Sequence, residues 1–285
     1  TKAEVIAYPE LGPEALIKLE LVDFPAFVAL DSKGQDFYAL GPAEWRAKNC
    51  QDGKAVSAPA SAPDKDSNFS SKLPGIFITI EGGEGAGKST QIQKLAQTLE
   101  SAGEEVLLLR EPGDTKLGEE IRALLLHSED GEVSPLAELL LYEAARAQLI
   151  EEKIEPALAR GITVISDRFF DSTTAYQGYG RGLDLEMIKK LNAIASKNLS
   201  PDRTIYLAAE ADLGLKRAHC VSEPDRLERA GLSFHDRVSE GFKAIACEEP
   251  ARVRLISAQG TIEEVFSQVL EEVADLFPHI QFGDS

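Results

Sequence analysis

One short segment constrains the fold of this chain more than any other. Residues 82–89 read GGEGAGKS and fit the pattern G-x-x-x-x-G-K-[ST] at every position, with an apolar run before them and helical spacing after them. Glycines allow successive backbone N–H groups to turn inward around phosphate oxygens, and the positive end of the following helix adds to the attraction. We therefore expect Lys88 to reach the terminal phosphates of a nucleotide and Ser89 to coordinate Mg²⁺. The alternative is a chance glycine-rich turn, which leaves the agreement of motif and context unexplained.

Apolar strands alternate with helices over most of the chain. Strands are predicted at 75–80, 106–109, 162–165, 204–207 and 253–256, and helices at 88–102, 117–126, 135–160 and 261–276. Strands separated by helices form a parallel sheet covered on both faces, and ligands bind such sheets at the carboxyl ends of the strands. Together with the phosphate-binding loop, this order predicts an α/β P-loop NTPase fold with a five-stranded parallel sheet.

A change in composition divides the chain. Residues 52–74 are rich in Ala, Ser, Pro and Asp and contain few large apolar residues, which is typical of a linker. They separate a small, partly β N-terminal unit, residues 1–51, from a long unit, residues 75–276. In the N-terminal unit, 27–30 and 37–40 predict two strands around a turn, and its role is not indicated by any chemical constellation. Residues 277–285 are predicted to form a tail.

Net charge and cysteine content limit the possible functions. The formal net charge of −18 argues against a nucleic-acid partner, because proteins that bind nucleic acids usually carry a basic surface. No apolar run approaches the length of a membrane span, and the N-terminus lacks the pattern of a signal peptide. The three cysteines, Cys50, Cys220 and Cys247, have neither metal-ligand nor redox spacing. Three reduced thiols in a cytoplasmic protein are therefore expected.

Charged residues follow two of the predicted strands, at the sheet edge where the phosphate-binding loop also lies. Asp167 ends the third strand and is placed to orient Mg²⁺, directly or through water. Arg168 beside it suits a phosphoryl group, and Arg110 after the second strand suits the phosphate of an acceptor. The alternatives are structural, namely an aspartate that caps a turn and an arginine in a surface ion pair.

Further short motifs lie after the phosphate-binding loop. They are REPG at 110–113, LYEAAR at 141–146, DRF at 167–169, STTAYQG at 172–178 followed by RG at 181–182, DRLE at 225–228 and FHDR at 234–237. With these motifs, residues 75–276 resemble the bacterial thymidylate kinase family. Several motifs in one order are more specific than the loop alone. The resemblance implies ATP as the phosphoryl donor, Mg²⁺ as the metal and thymidine monophosphate (dTMP) as the acceptor.

The resemblance also implies roles for individual residues. For dTMP, Arg110 and Arg168 would hold the phosphate. Tyr142 would stack on thymine, Arg146 would hydrogen-bond the base, and the base pocket would be completed by Ser172, Thr173 and Gln177. Tyr176 would lie where a ribose 2′-hydroxyl would project, and Glu84 would approach the 3′-hydroxyl. For ATP, the implied positions are Gly82, Gly83, Glu84, Gly85, Ala86, Gly87, Lys88, Ser89, Thr90 and Arg217. The implied catalytic residues are Lys88, Asp167, Arg168 and Arg226, with Ser89 and Asp167 at the metal. For Tyr142 by itself, core packing is the alternative.

One loop position decides where a charge-stabilising cation must come from. Family members that carry glycine after the acidic loop residue, as Gly85 does here, supply an arginine from a helical lid. The lid is expected at about 217–229, where HCVS at 219–222 interrupts the usual basic run and leaves Arg217, Arg226 and Arg229. Arg226 lies in the retained DRLE motif and is the predicted catalytic arginine. Asp114 stands where the family usually has glycine, and it either weakens acceptor binding at the neighbouring arginine or points to solvent.

The predicted reaction transfers the γ-phosphoryl group of ATP to dTMP, giving ADP and thymidine diphosphate for dTTP supply to DNA synthesis. Positioning and charge stabilisation suffice for such a transfer, without a covalent enzyme intermediate. Two alternatives stay open. One is a P-loop kinase for another pyrimidine monophosphate, and the other is a nucleotide-binding regulatory module with weak turnover, which the interrupted lid motivates. The resemblance further implies a homodimer.

Overall fold

The computed structural model describes residues 2–7, 16–20, 74–128, 132–210, 212, 214 and 226–282. The chain divides into two compact units, Thr1–Ser70 and Ser71–Ser285. In the first unit, β1 (Lys2–Ala7) and β2 (Leu16–Glu20) form an antiparallel pair. The strands predicted at 27–30 and 37–40, and nearly all of the predicted linker, lie outside the described residues.

The second unit is built on a five-stranded parallel sheet, as the sequence predicts. Its strands are β3 (Phe77–Gly82), β4 (Val106–Arg110), β5 (Thr163–Asp167), β6 (Arg203–Ala208) and β7 (Val253–Ser257), in the order β4-β5-β3-β6-β7. Strand β3 is central and buried along its whole length, as expected for a strand of a parallel sheet that is covered on both faces. Its register places Ile80 beside Asp167 of β5, so two of the predicted functional segments end at the same edge.

Helices connect the strands. They are α1 (Lys88–Ser101), α2 (Lys116–His127), α3 (Pro135–Leu149), α4 (Glu155–Ala159), α5 (Phe170–Thr173), α6 (Leu185–Ala195), α7 (Leu232–Glu248) and α8 (Ile262–Val273). Two π-helical turns, Ile150–Ile154 and Thr174–Gly180, follow α3 and α5. The helix predicted at 135–160 is therefore helical from Pro135 to Ala159, but its hydrogen bonding changes at 150–154. None of the helices in the described part of the chain is long and apolar enough to cross a membrane.

Local side chains account for where several helices begin. The Thr115 hydroxyl accepts from the Gly118 N–H at 2.9 Å at the start of α2. Ser134 does the same for α3, where Pro135 occupies the first turn without losing a hydrogen bond. Thr261 and Glu264 form a reciprocal capping box at α8. These caps fix the helix ends that frame the sheet.

Apolar side chains cover both faces of the sheet. One cluster packs α1 and α8 on the face that includes Ile78, Ile80, Ile205 and Leu207. The other packs the end of α3, the π-helical turn after it and α4 against Phe77 and its neighbours. The close packing of these two layers holds the sheet rigidly, so side chains at the carboxyl ends of its strands have well-defined positions.

The predicted tail is corrected by the structure. Phe277 is fully buried and joins the first of these clusters, with Ile280 and Phe282 packed against it. The His279 ring also lies 2.7 Å from a carboxylate oxygen of Glu104. The large apolar residues of this segment bury surface that α8 leaves open, so residues 277–282 belong to the packed unit.

Candidate active site

The phosphate-binding loop joins β3 to α1 and takes the backbone form that its glycines allow. Gly85 and Gly87 have φ angles of 65° and 90°, in the left-handed region that favours glycine. A Cβ atom at Gly85 would lie 2.0 Å from the carbonyl oxygen of Gly214, so the loop packs tightly against that backbone. Only glycine satisfies both requirements at this position.

Lys88 lies under the loop. Its side chain is buried, and Nζ donates to the carbonyl oxygens of Gly82 at 3.2 Å and Gly83 at 3.0 Å. Burial and the charge of Arg168 lower the pKa of Lys88. An anionic phosphate in the loop would therefore stabilise this ammonium group more than the two neutral carbonyls do.

Arg168 links the end of β5 to the loop. Its φ angle of 73° is uncommon for a residue with a side chain and costs on the order of 1–2 kcal/mol. Nη1 donates to the Gly82 carbonyl and to Ser172 Oγ, both at 3.1 Å, and Nη2 donates to Glu84 at 2.5 Å. These bonds hold a strained residue in one orientation, which is common at functional sites.

Glu84 is held as an anion inside the loop. Burial by itself would raise its pKa, but Arg168 and Lys88 lower the pKa of Glu84 to about 2. Its Oε1 atom also accepts from the Tyr176 hydroxyl at 3.1 Å. The Arg168 guanidinium lies over the Tyr176 ring at 5.0 Å from the centroid, so the three side chains form one unit.

Glu81 lies deeper, in β3, and was not predicted. It accepts from the Phe169 N–H at 2.7 Å and from Ser172 Oγ at 2.6 Å. Burial, with a smaller contribution from Asp171, raises the pKa of Glu81 to about 8. Its contacts hold the start of α5 and the hydroxyl of Ser172, so Glu81 orients residues that line the cavity without lining it itself.

Asp167 and Ser89 have the chemistry expected of magnesium ligands. Asp167 Oδ1 is buried and has no hydrogen-bond partner among the described residues. Ser89 and Thr90 are exposed in the first turn of α1. Mg²⁺ prefers oxygen ligands and keeps much of its shell as water and phosphate oxygens, so one hydroxyl and one carboxylate fit this ion.

A cavity with an empty volume of about 560 Å³ adjoins the loop. Of the residues predicted to bind dTMP, only Arg110 does not line this cavity. The residues that do line it are Glu84, Tyr142, Arg146, Arg168, Ser172, Thr173, Tyr176 and Gln177. They come from the loop, α3, the end of β5 and the segment that follows. The fold thus brings together residues that are spread over 94 positions of the sequence.

Arg146 is locked at one end of the cavity. Nε donates to Glu111 at 2.9 Å, and Nη1 donates to Glu143 at 2.9 Å and to Asn192 at 3.2 Å. Nη2 donates to Thr173 Oγ1 at 2.9 Å. A guanidinium has five N–H donors, so these four bonds leave one on Nη2 for an acceptor in the cavity.

Glu111 and Arg122 line the cavity and were missed by the sequence analysis. Burial raises the pKa of Glu111 to about 7 although Arg146 is adjacent. Arg122 Nη1 donates to the Pro112 carbonyl at 2.9 Å, and burial, with the charge of Arg110, lowers the pKa of Arg122. The sequence did contain an indication of Arg122, because this residue interrupts the apolar run 121–126 of α2.

Arg110 is placed differently from the expectation. Its guanidinium pairs with Glu119 at 2.9 Å, is 45% exposed and does not line the cavity. Asp114, with a φ angle of 59°, accepts from the backbone N–H of Arg110 through its carboxylate. The Asp114 side chain therefore closes the turn rather than pointing to solvent. Aspartate tolerates the left-handed conformation that this position adopts.

Arg226 is also placed differently. It is buried, with Nε donating to the Leu125 carbonyl at 2.8 Å and Nη1 lying 2.6 Å from Glu138 Oε2. The buried carboxylate of Glu138 needs cations, and Arg226 is one of them. A catalytic role requires this ion pair to open. Arg229 is exposed, and Arg217 lies outside the described residues.

Comparisons with known proteins match most of the second unit to one family. A family model described as thymidylate kinase matches residues 80–269. A thymidylate kinase of Syntrophotalea carbinolica is 47% identical over 200 residues, covering 68% of this chain and 93% of that protein. One from a Synechococcus species is 50% identical over 203 residues, covering 71% and 96%. The crystal structure of thymidylate kinase from Ehrlichia chaffeensis superposes with a TM-score of 0.59 at 35% identity, covering 69% of this chain and 97% of that one.

The N-terminal unit has a different match. Residues 1–41 match a family model described as fumarase C-terminus. The thymidylate kinase model lies within the second unit, so the two parts of the chain match different family models.

Proposed function

The chain belongs to the thymidylate kinase family, and we propose that its phosphate-binding loop and the adjoining cavity perform this family's reaction with the residue roles given below. The enzyme is an ATP-dependent nucleoside monophosphate kinase that converts dTMP to thymidine diphosphate. One observation carries the assignment of roles. Glu84 lies in the loop, Arg168 donates hydrogen bonds to it, and both side chains line the cavity, so a donor in the loop and an acceptor in the cavity would meet there.

The acceptor lies in the cavity in this proposal. Tyr142 stacks on thymine, and the remaining N–H of Arg146 donates to the base. Arg168 and Arg122 hold the phosphate, and the pair of Glu84 and Tyr176 faces the sugar. Ser172, Thr173 and Gln177 complete the wall. Arg110 reaches the phosphate only after leaving Glu119, so we give it a smaller share of acceptor binding than the sequence suggests.

The donor lies in the loop. Backbone N–H groups of residues 82–90 surround the phosphates of ATP, and Lys88 contacts the transferred group. Ser89 and Asp167 would hold Mg²⁺, which neutralises charge on the phosphates and orients them. For Arg217, which lies outside the described residues, the proposed role is binding of ATP. Excluding water from this site protects ATP from hydrolysis.

We propose a homodimer as the assembly and the cytoplasm as the location. Exposed leucines on α2 and α3 provide an apolar surface: Leu117 and Leu124 are seven residues apart, and Leu136 and Leu140 are four apart, so each pair shares one helix face. A second copy of the chain would cover it. Sedimentation of the protein tests this, and Leu124→Glu is expected to shift the dimer toward monomer.

Release of ADP, measured by a coupled assay with ATP and each nucleoside monophosphate in turn, tests the function. We expect dTMP and dUMP to support turnover and purine monophosphates to support little, since the cavity holds one pyrimidine ring between Tyr142 and the opposite wall. Equal kcat/KM values for dTMP and dGMP would contradict the acceptor assignment. Slow ADP release that no monophosphate stimulates would instead favour the regulatory module.

A further inference from the structure

Glu138 is a buried carboxylate with no place in the reaction as proposed. It lies in the first turn of α3 and is 1% exposed. Its oxygens accept from Gln177 Nε2 at 2.8 Å and from Arg181 at 3.1 and 3.2 Å, and it pairs with Arg226 at 2.6 Å. Cations from two other segments therefore hold this carboxylate in one position.

The charge of Glu138 determines which way the Gln177 amide faces. Burial by itself would raise the pKa of Glu138, but hydrogen bonds from Arg181 and Gln177 and the charge of Arg226 lower it. An ionised carboxylate only accepts hydrogen bonds, so Gln177 must turn its NH₂ group toward it. Gln177 Oε1 has no hydrogen bond in the described part of the chain, and the residue lines the cavity. The amide therefore presents an acceptor there.

The cavity wall then offers one acceptor and one donor to a base. The acceptor is Gln177 Oε1, and the donor is the remaining N–H on Arg146 Nη2. Thymine and uracil carry an N3–H donor and an O4 acceptor, which complement this pair. Cytosine carries the opposite pattern, an N3 acceptor and an N4 amino donor.

We propose that Glu138 is a positioning residue that fixes the Gln177 amide as an acceptor and thereby makes the site select 4-oxo pyrimidine monophosphates over cytidine monophosphates. The inference rests on the proposed function. A glutamine amide without a fixed partner rotates at little cost and accommodates either pattern. With Glu138 in place, a cytosine would leave two buried polar groups unpaired, which is the strongest basis for rejection by a binding site.

Two variants test the proposal through the ratio of kcat/KM for dTMP to kcat/KM for dCMP. Glu138→Gln keeps the shape of the side chain but both donates and accepts, so it frees the Gln177 amide, and we expect the ratio to fall about tenfold or more. The double variant Glu138→Gln/Gln177→Glu reverses the hydrogen bond and restores an acceptor at position 177. We expect its ratio to return toward that of the wild type, which a general loss of packing would not produce.

Arg181→Gln is the matched control, because it also weakens the ion pairs of Glu138 but leaves the carboxylate to orient Gln177. We expect a lower melting temperature and an unchanged ratio. An unchanged ratio in folded Glu138→Gln, or an equal fall in Arg181→Gln, would overturn the inference. If Glu138→Gln does not fold, the double variant decides. A dTMP-to-dCMP ratio of kcat/KM in the folded double variant that is about tenfold or more below that of the wild type overturns the proposal. Wild-type enzyme without dTMP turnover would overturn the proposed function, and this inference with it.

Discussion

At the scale of single residues, Lys88 is the most direct test of the phosphate-binding loop. Its ammonium group already lies within hydrogen-bond distance of two loop carbonyls, where the phosphates of ATP would meet it. We expect Lys88→Ala to lower kcat at least about a hundredfold, since removing one such charge contact raises the barrier by about 3 kcal/mol or more. Steady-state kinetics and circular dichroism measure this. Lys190→Ala, on the exposed side of α6, is the control, and near-normal turnover in folded Lys88→Ala would refute the assignment.

Arg226, unlike Lys88, is a buried cation that pairs with a carboxylate, Glu138. Because Arg226→Ala leaves Glu138 with one fewer partner, we expect the free energy of unfolding to fall by about 1.5–3 kcal/mol, measured by thermal denaturation. The sequence predicts, in addition, a fall in kcat with little change in either KM, the signature of a contact made in the transition state. Lys190→Ala, at an exposed position of α6, is the control and is expected to change neither. An unaltered melting temperature would refute the structural contribution, and unaltered kcat in the folded variant would refute the catalytic one.

At the scale of elements, the loop depends on close packing against a neighbouring segment. Gly85→Ala would place a methyl group 2.0 Å from the Gly214 carbonyl at a φ angle of 65°, so the loop must shift. We expect kcat/KM for ATP to fall at least about tenfold, because a small displacement of phosphate-binding groups is costly. Gly103→Ala also has a positive φ angle but meets no atom within 4 Å. That control should lose some stability and keep its activity; equal activity in both variants would contradict the packing argument.

The carboxyl end of β5 carries the proposed metal ligand. Asp167→Asn keeps the size of the side chain but removes the charge, and its orphaned oxygen is a weaker ligand for Mg²⁺. We expect the Mg²⁺ concentration for half-maximal activity to rise several-fold, measured by titration at saturating substrates. Asp184→Asn, at the exposed N-cap of α6, is the control, since asparagine caps helices as well as aspartate does. An unchanged Mg²⁺ requirement in Asp167→Asn would remove this residue from the metal site.

At the scale of the whole molecule, the chain divides into two compact units. The second unit begins at Ser71, and Gly75 already donates its N–H to the Leu158 carbonyl at 2.9 Å. We expect a protein that lacks residues 1–72 to fold and to keep its kcat and both KM values, because every proposed chemical residue follows that point. The full chain, assayed in parallel, is the control. A folded but inactive truncation would show that the N-terminal unit takes part in catalysis.

Local sequence by itself determined the architecture and most of the site. Apolar runs at strand length, separated by helical spacing, are sufficient for the parallel sheet, because each element must bury its own apolar face. The loop pattern predicts where phosphates bind, and the motifs at 141–146 and 172–178 contain residues that do line the cavity. Helices α6 and α7 were not predicted, and the match of residues 1–41 to a fumarase C-terminus model was not anticipated.

Only the tertiary structure decided how the charged side chains are paired. Arg146 with Glu111 and Gln177 with Glu138 are contacts across 35 and 39 positions, and no local pattern indicates them. The same holds for Arg226 on Glu138 and for the burial of Phe277. A buried charge takes whichever opposite charge the packing brings within reach, since leaving it unpaired is costly. The sequence therefore places residues on the right elements, while the packing of those elements selects their partners.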